Sequence, residues 1–332
     1  MVQVTEPQSG VFGTMGKYIL RRILIAIPML LLVTIIVFIL ASLMPGDAAM
    51  AMFGSGDGSM TAEMIEQQRE NMGLTGSVLA RYFRWLGKLL KGDMGVSMVS
   101  FEPVWQMIKL RIGPTLLLMG TSLILSIIIG VILGCFSAVK QYSAADYILT
   151  VISFIGRSVP IFFLGLFLVY IFALKLSLFP TSGMHTMGYS DFGDLMKHLF
   201  LPCLSLSILR IAEFLRYSRA SMLEVLHSDF IWTARSKGIK EFRVLRMHAL
   251  RNALIPIITL IGINIPVLFS GAIMIEQVFQ WPGLGMLFNT AVNQRDQSLL
   301  MGLCLFSSVI VLLSNLLTDI AYAAVDPRIR YE

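Results

Sequence analysis

DFIWTARSKGIKEFRVLRMHALRNALIP, from Asp229 to Pro256, is a basic stretch that lies between long apolar segments. From Arg216 to Arg251 the chain carries eight Lys or Arg residues against three acids, although only 14% of its residues are charged. Cytoplasmic loops of membrane proteins are commonly rich in Lys and Arg, and this enrichment fixes their orientation. By charge alone, the stretch is typical of such a loop.

The residue pattern of this stretch predicts more than a loop. Ser228 and Asp229 favour a helix N-cap, and Gly238 favours a helix end in the left-handed conformation. Helical periodicity resumes after Gly238 and leads into an apolar segment that starts near Asn252. We therefore predict a short helix, a turn and a second helix that continues into a membrane span.

Composition places the whole chain in the membrane. It has 332 residues, of which 56% are hydrophobic, and a mean hydropathy of +0.77, as in polytopic membrane proteins. The net charge of +6 therefore reports orientation and gives no reason to expect a nucleic-acid partner. The three cysteines, Cys135, Cys203 and Cys304, lie in apolar segments without a CxxC pattern, which supports neither a disulfide framework nor a zinc site.

Six apolar runs are candidates for membrane spans: 23–46, 112–139, 147–174, 199–217, 252–275 and 297–318. The fourth contains charged residues, but without it the basic stretch and both termini would not share one side. We predict an all-α integral membrane protein with six transmembrane helices and a single permease domain over 18–332. Its cytoplasmic tail would cover 1–17, a large extracytoplasmic loop about 47–111, and a cytoplasmic coupling loop about 218–251.

Two local patterns fall within this plan. Apolar residues from Val78 to Leu90 recur at helical spacing opposite four cations, with Gly92 as a stop, which predicts an amphipathic helix on the membrane surface. Gly130 and Gly134 form a GxxxG pattern in the second span, which is typical of a helix-packing face.

Charged and polar residues inside the spans are candidates for a transport pathway, since such groups usually face a cavity or a partner. We assign this role to Arg157, Arg210, Glu213 and Asn264. Two alternatives stay open: Arg157 reaches the membrane interface instead, or Arg210 and Glu213, spaced i and i+3, form a structural pair.

Catalytic motifs are missing from the sequence. It contains no HExxH and no GxSxG, and Gly16-Lys17 is not the end of a phosphate-binding loop, because Val11 replaces the first glycine and Tyr18 the Ser or Thr. We predict no catalytic residues, no metal site and no cofactor in this chain, which is therefore not an enzyme by itself.

Two segments of the basic stretch carry a family resemblance. Ala234-Arg235-Ser236-Lys237-Gly238 and the run from His248 to Pro256 resemble the cytoplasmic coupling motif of bacterial ATP-binding-cassette (ABC) importer permeases, in the version of the dipeptide and oligopeptide subfamily. The chain departs from the generic motif at Trp232, where that motif has Glu.

Further motifs resemble the first, or B, type of these peptide permeases, in order from residue 18 to the end. They are Pro45-Gly46-Asp47, Met72-Gly73-Leu74, Tyr82, Trp85, Gly92-Asp93-Met94-Gly95, Phe179-Pro180-Thr181-Ser182-Gly183, Glu276-Gln277-Val278-Phe279, Trp281-Pro282-Gly283-Leu284-Gly285, Arg295-Asp296 and the run from Asp326 to Tyr331. The chain departs from the pattern at Ser77 and Gln297-Ser298, where prolines are common.

The resemblance implies a type I ABC importer fold in which the short helix docks in a cleft on an ATPase subunit. Ala234 would permit close approach, Phe230 and Ile231 would supply a buried anchor, and Arg235 and Lys237 would pair with acidic rims. The residues expected to couple the chain to the ATPase are Asp229, Phe230, Ile231, Thr233, Ala234, Arg235, Lys237 and Gly238.

Partners and location are also expectations from the resemblance. They comprise a homologous second permease, two ATP-binding subunits that hold ATP and Mg, an extracytoplasmic substrate-binding protein and a peptide substrate, in a bacterial cytoplasmic membrane with both termini inside. A nickel chelate or a glutathione-like molecule is the alternative cargo within the family. In a more distant alternative, a proton-coupled secondary transporter, Glu213 would carry the proton.

Overall fold

Helices make up nearly all of the regular structure. The computed structural model describes residues 9–43, 66–67, 70, 75–189, 191–269 and 271–325, with side chains except those of 9–20, 23 and 319–325. Across these ranges the one extended pairing is an isolated bridge between Val96 and Pro103, which confirms the all-α prediction. The motif segments 45–47, 72–74 and 326–331, and residues 1–8 of the predicted tail, lie outside the described residues.

The helices are labelled here in chain order. They are α1 (Ser9–Leu43), α2 (Val78–Leu89), α3 (Val104–Val139), α4 (Ala144–Ser158), α5 (Ile161–Lys175), α6 (Phe192–Leu226), α7 (Asp229–Ser236), α8 (Glu241–Ala253), α9 (Ile255–Asn264), α10 (Ile273–Val278), α11 (Leu284–Asn293) and α12 (Gln297–Val325). The backbone is π-helical over Val169–Lys175 in α5 and Val244–Ala249 in α8, and a 3-10 turn, Pro266–Phe269, follows α9.

Four of the described helices, α1, α3, α6 and α12, are long and apolar enough to cross a membrane. Two bent pairs, α4 with α5 and α8 with α9, bring the number to six if each pair is one span. The α4–α5 bend of 102° falls at Val159, which is extended because a residue before proline disfavours the α conformation. The number of six spans stays a prediction.

The chain separates into two compact units, and the first comprises residues 1–108 and 290–332. Within it, α12 packs along α1, and α2 lies on α1 through Tyr82. The Tyr82 hydroxyl is 3.0 Å from Thr34 Oγ1, and its ring meets Phe38 edge-on. The predicted helix from Val78 is confirmed, and Gly92 follows it with φ of +82°.

The second unit comprises residues 109–289, and within it α3 approaches α6 closely at two glycines. A Cβ atom on Gly130 would lie 2.5 Å from Phe214 Cβ, and one on Gly134 would lie 2.5 Å from the Leu215 carbonyl oxygen. Only glycine permits this approach, so the predicted GxxxG packing face is confirmed. The Ser126 hydroxyl also donates to the Ser207 carbonyl oxygen across the same pair of helices.

Candidate functional site

Helix α7, at the centre of the basic stretch, has the ends that its sequence predicts. Ser228 takes the extended conformation of an N-cap residue, but its hydroxyl donates back to the Val225 carbonyl oxygen instead of capping the helix. Gly238 has φ of +73°, and its N–H donates to the Arg235 carbonyl oxygen at 2.9 Å. The predicted glycine stop is therefore confirmed.

The inner face of α7 consists of Ile231 and Ala234, which are 0% and 7% exposed. Both side chains pack into a cluster, called the seat here, that draws its other members from α3, α6 and α8. These members are Ala138, Met222, Val244, Ala249 and Ala253. Ile231 and Ala234 therefore hold α7 on this chain, and the roles expected for them toward an ATPase subunit stay predictions.

The outer face of α7 presents Phe230, Trp232, Thr233 and Lys237. Phe230 and Trp232 are 45% and 59% exposed, which is unusual for side chains of that size unless they face lipid or a partner. Asp229 is also exposed, at the first turn of the helix. Only one of the two residues expected as the anchor, Phe230, therefore faces outward, and Trp232 joins it.

Arg235 is fixed by its own chain. Its guanidinium makes two hydrogen bonds to the Glu241 carboxylate, at 2.7 Å and 3.2 Å, and lies 6.0 Å from the centre of the Trp232 ring. The expected pairing of Arg235 with an acidic partner would therefore compete with Glu241. Both side chains are partly exposed, so the pair holds the orientation of Trp232 more than it stabilises the fold.

An ion pair lies beside the seat and was not singled out in the sequence. Asp146, at the first turn of α4, accepts two hydrogen bonds from Arg219 of α6, one from the Ser137 hydroxyl and one from the Tyr142 N–H. Ser137 precedes the seat residue Ala138. A local signal was available, because Ser143 and Asp146 form a Ser-x-x-Asp capping pattern, and the Ser143 hydroxyl accepts from the Asp146 N–H.

The motif from Glu276 to Gly285 is built around a fully buried carboxylate. Glu276 Oε2 accepts from the Met286 N–H at 2.9 Å, and Oε1 accepts from the Thr115 hydroxyl at 3.2 Å and the Ala272 N–H at 3.3 Å. The negative group therefore faces the N-terminus of α11, where it is favoured. Burial nevertheless raises the pKa of the Glu276 carboxyl, although these hydrogen bonds act in the opposite direction.

Glycines in this motif leave room for the carboxylate. A Cβ atom on Gly283 would lie 2.4 Å from Glu276 Cδ, and one on Gly285 would lie 2.8 Å from the Ile273 nitrogen. Trp281 is fully buried, and its indole N–H donates to the Pro114 carbonyl oxygen at 2.9 Å. The motif is thus a packed structural unit that joins α3, α10 and α11.

Asp296 plays a similar part at the start of α12. Its carboxylate accepts from the Leu299 N–H as a helix cap, and from the Ser97 hydroxyl and the Met98 N–H of the segment before α3. Asp296 has no exposed surface. Asp296, the second residue of the Arg-Asp motif noted in the sequence, therefore fixes this segment to α12.

The candidate pathway residues lie on three helices. Arg157 is exposed in the last turn of α4, just before the bend, and Arg210 and Glu213 lie on α6. Asn264 ends α9, where its side-chain N–H donates to the Leu260 carbonyl oxygen. Across the described residues, no hydrogen bond or ion pair joins these four to one another, and their role in a pathway stays a prediction.

Arg210 has the most unusual surroundings of these four residues. Its Nη1 is buried and makes no hydrogen bond in the described part of the chain. Glu213 acts on it through Coulomb attraction without a direct hydrogen bond. A buried guanidinium nitrogen without a hydrogen bond is costly, so the surroundings of this atom call for a further polar group.

Profile comparison places the chain among transport proteins. Residues 130–331 match the family described as binding-protein-dependent transport system inner membrane component, and residues 15–119 match the corresponding N-terminal family. Both the basic stretch and the motif around Glu276 fall within the first match.

Curated relatives align over almost the whole chain. The oligopeptide transport system permease protein AppB of Bacillus subtilis is 43% identical over 96% of this chain and 100% of its own length. A putative peptide permease protein of Brucella ovis is 44% identical over 95% and 99% of the two chains. The glutathione transport system permease protein GsiC of Pectobacterium atrosepticum is 39% identical over 96% and 100%.

Proposed function

This chain belongs to the family of binding-protein-dependent transport system inner membrane components, and from that premise we propose that it is the permease subunit of an ATP-driven peptide importer. Two relatives that align along their full or nearly full length are named as oligopeptide and peptide permeases, which supports peptides as the cargo. The chain forms half of a membrane pathway, and a homologous second permease forms the other half.

The observation that carries the proposal is the division of α7 into two faces. The seat fixes the inner face to three other helices, while Phe230 and Trp232 stay exposed on the outer face. Exposed aromatic side chains beside cations are typical anchors of protein interfaces. The outer face of α7 is therefore the docking surface for an ATP-binding subunit.

The same geometry explains how movement of the ATP-binding subunits is coupled to the membrane pathway. Because Ile231 and Ala234 pack against α3, α6 and α8, a displacement of α7 is passed directly to those helices. Two partner subunits bind ATP and Mg and approach each other when ATP is bound. Their movement displaces α7 and changes which side of the membrane the pathway faces.

The pathway itself takes few specific contacts from this chain. A peptide importer must accept many side chains, and broad acceptance requires few tight pockets. Arg157, Arg210, Glu213 and Asn264 are the polar groups of the spans that line it in this proposal. Arg210 is the best placed to meet a carboxylate, because its buried Nη1 makes no hydrogen bond within the described residues.

Location and orientation complete the proposal. The protein is a multi-pass component of a bacterial cytoplasmic membrane, with both termini and α7 on the cytoplasmic side. An extracytoplasmic binding protein delivers the peptide on the opposite side. Glutathione is a second candidate cargo, since one relative with 39% identity is named a glutathione permease.

Uptake into vesicles tests this function. The chain is reconstituted with the two ATP-binding subunits and the second permease, with ATP enclosed and the binding protein outside, and labelled dipeptides, longer peptides, glutathione and a nickel chelate are offered separately. We expect peptide uptake that requires ATP and every partner. A variant of the ATP-binding subunits that cannot hydrolyse ATP is the control for passive leakage.

Two other uptake results would change the proposal. Uptake by the chain alone, driven by a proton gradient, would reject the ABC mechanism and return Glu213 to the centre of a secondary transporter. Uptake of glutathione or the nickel chelate without peptide would keep the mechanism and change the cargo.

A further inference from the structure

The exposed side of α8 carries three arginines. Arg243, Arg246 and Arg251 are all exposed, and within the described residues none of their side chains makes an ion pair or a hydrogen bond. The nearest acid along the chain, Glu241, is already bound to Arg235 through two hydrogen bonds. The positive charge of these three arginines is therefore available to a ligand.

The π-helical turn of α8 decides which side chains face outward. In a π-helix the backbone hydrogen bonds join residues five apart, so Val244 and Ala249 lie on one side and pack into the seat together with Ala253. The rest of α8 is exposed and includes Phe242 and Met247, which are 72% and 64% exposed. Large apolar side chains and the three arginines therefore share the side of α8 that turns away from the seat.

This combination of side chains suits two kinds of surface. A helix that lies in a membrane interface places its apolar groups among acyl chains and its cations at the headgroups. Protein interfaces also favour aromatic residues, methionine and arginine. The position of α8 relative to the membrane therefore decides between a lipid and a protein.

Span length gives that position. α8 and α9 meet the requirements of a membrane span only together, with a bend of 42° between them. The segment Ile255–Phe269 supplies 15 residues, whereas a hydrocarbon core of about 30 Å needs about 20 helical residues. The remaining residues come from the end of α8, which places Arg246 and Arg251 at the boundary of the hydrocarbon, where long cationic side chains reach the lipid headgroups.

We infer that the exposed side of α8 binds the headgroups of anionic phospholipids, with Arg243, Arg246 and Arg251 at the phosphates and with Phe242 and Met247 among the upper acyl chains. Anionic lipids are preferred because the arginines carry charge that the described chain does not neutralise. Only the choice of leaflet rests on the proposed function, since the orientation given there makes it the cytoplasmic one. The basic stretch then has two surfaces, the outer face of α7 for a protein and the exposed side of α8 for lipid.

Photo-cross-linking in vesicles tests the inference. Phe242 is replaced by the photoreactive benzoylphenylalanine in the full chain with its co-purifying subunits, the vesicles contain equal amounts of phosphatidylglycerol and phosphatidylethanolamine, and adducts are identified by mass spectrometry. We expect phosphatidylglycerol adducts to exceed phosphatidylethanolamine adducts by at least about five-fold, the contribution of a single cation near a lipid surface. The same replacement at Leu32, which is 59% exposed in the middle of the apolar stretch Leu24–Leu43, is the control and should give equal amounts.

Two further measurements test the role of charge. The combination of Arg243→Gln, Arg246→Gln and Arg251→Gln should bring the lipid ratio at position 242 to the ratio at position 32. Salt at about 1 M should do the same without any substitution of the arginines, because it shortens the screening length to about 3 Å. An equal lipid ratio at both positions, an enrichment that neither change removes, or adducts with an ATP-binding subunit instead of lipid would overturn the inference. Cross-linking requires no uptake, so a failure of the proposed transport function would leave this result unaffected.

Discussion

The Asp146 carboxylate accepts two hydrogen bonds from the Arg219 guanidinium, at 2.7 Å from Nε and 2.8 Å from Nη2. Asp146 is 2% exposed, and the pair ties the first turn of α4 to α6. Arg219 precedes the seat residue Met222 by one turn, and Ser137, which also donates to Asp146, precedes Ala138. Asp146 therefore braces α3 and α6, two of the three helices on which α7 rests.

We predict that Asp146→Asn destabilises the protein by about 3 kcal/mol, because removal of one partner leaves the other charge of a largely buried pair uncompensated. The measurement is thermal unfolding of the purified chain in detergent. Glu224→Gln is the matched control, since it removes an exposed carboxylate from the same α6. Equal melting temperatures for the two variants would show that the pair is not a brace.

The stability of Arg219→Lys should fall between those of Asp146→Asn and Glu224→Gln. Lysine keeps the positive charge but cannot reproduce the two-point hydrogen bonding of the guanidinium. We expect more than half of the stability lost in Asp146→Asn to be lost here as well, measured in the same unfolding experiment. Full stability with lysine would mean that charge alone matters at this position.

Substitutions on the inner face of α7 should affect folding, and substitutions on its outer face should affect docking. Ile231→Ala is expected to cost about 2–5 kcal/mol of stability, the usual range for truncating a buried aliphatic side chain. Trp232→Ala should change stability by less than about 0.5 kcal/mol, as surface substitutions usually do, yet weaken binding of the ATP-binding subunit by about thirty-fold. Unfolding and titration of that subunit onto the chain in nanodiscs provide the two readouts.

Tyr189→Ala is the control for this comparison, because Tyr189 is an equally exposed aromatic residue outside the basic stretch. It should change neither stability nor docking. If Trp232→Ala binds the ATP-binding subunit as tightly as Tyr189→Ala, the docking surface is not the outer face of α7.

Sequence patterns were sufficient for the helix and stop of α7 but not for its two faces. Phe230 and Ile231 are adjacent apolar residues, and periodicity alone does not decide which of them turns toward the protein. That choice is made by Val244 and Ala249, which follow later in the chain and complete the seat. Of the two residues expected as the anchor, Ile231 is therefore buried within the chain and Phe230 is exposed, and the role of Phe230 as an anchor stays a prediction.

Crowding around Glu276 gives a steric prediction. Gly283→Ala places a methyl group 2.4 Å from the carboxyl carbon, so the carboxylate or the turn must move, at a cost of about 1–3 kcal/mol. Gly87→Ala, on α2 with open space around it, should instead be neutral or stabilise by up to about 1 kcal/mol. Thermal unfolding of both variants checks the contrast.

A double substitution tests whether the clash with the Glu276 carboxylate is what destabilises Gly283→Ala. Glu276→Asp shortens the side chain, so it should relieve part of the clash when combined with Gly283→Ala. The two changes would then cost less together than the sum of their separate effects, as coupled neighbours do. Strict additivity would assign the effect of Gly283→Ala to its backbone and not to the carboxylate.

The raised pKa of Glu276 predicts a dependence on pH. Between the ordinary value of 4.5 and the raised value, the folded protein binds more protons than the unfolded chain, so its stability falls as pH rises through this window. Glu276→Gln removes this titration. Melting temperatures measured upward from pH 4.5 should therefore decline more steeply in the unchanged protein than in Glu276→Gln.

Long-range pairs mark the limit of what the sequence could predict. Asp146 and Arg219 are 73 residues apart, and Thr115 and Glu276 are 161 apart. The capping pattern around Ser143 and the motif around Glu276 indicate that these acids matter, but neither pattern identifies the partner. Composition and periodicity report local preferences, whereas these pairs follow from how α3, α4, α6 and α10 pack.

The glycine contacts between α3 and α6 have a mechanical consequence. At Gly130 and Gly134 the two backbones touch without an intervening layer of side chains, and such a layer is what lets packed helices slide past each other. The two helices therefore form one stiff lever with α7 at its end. Any change of shape during transport must be taken up at joints, and the 102° corner between α4 and α5 is the sharper of the two bends within candidate spans of the described chain.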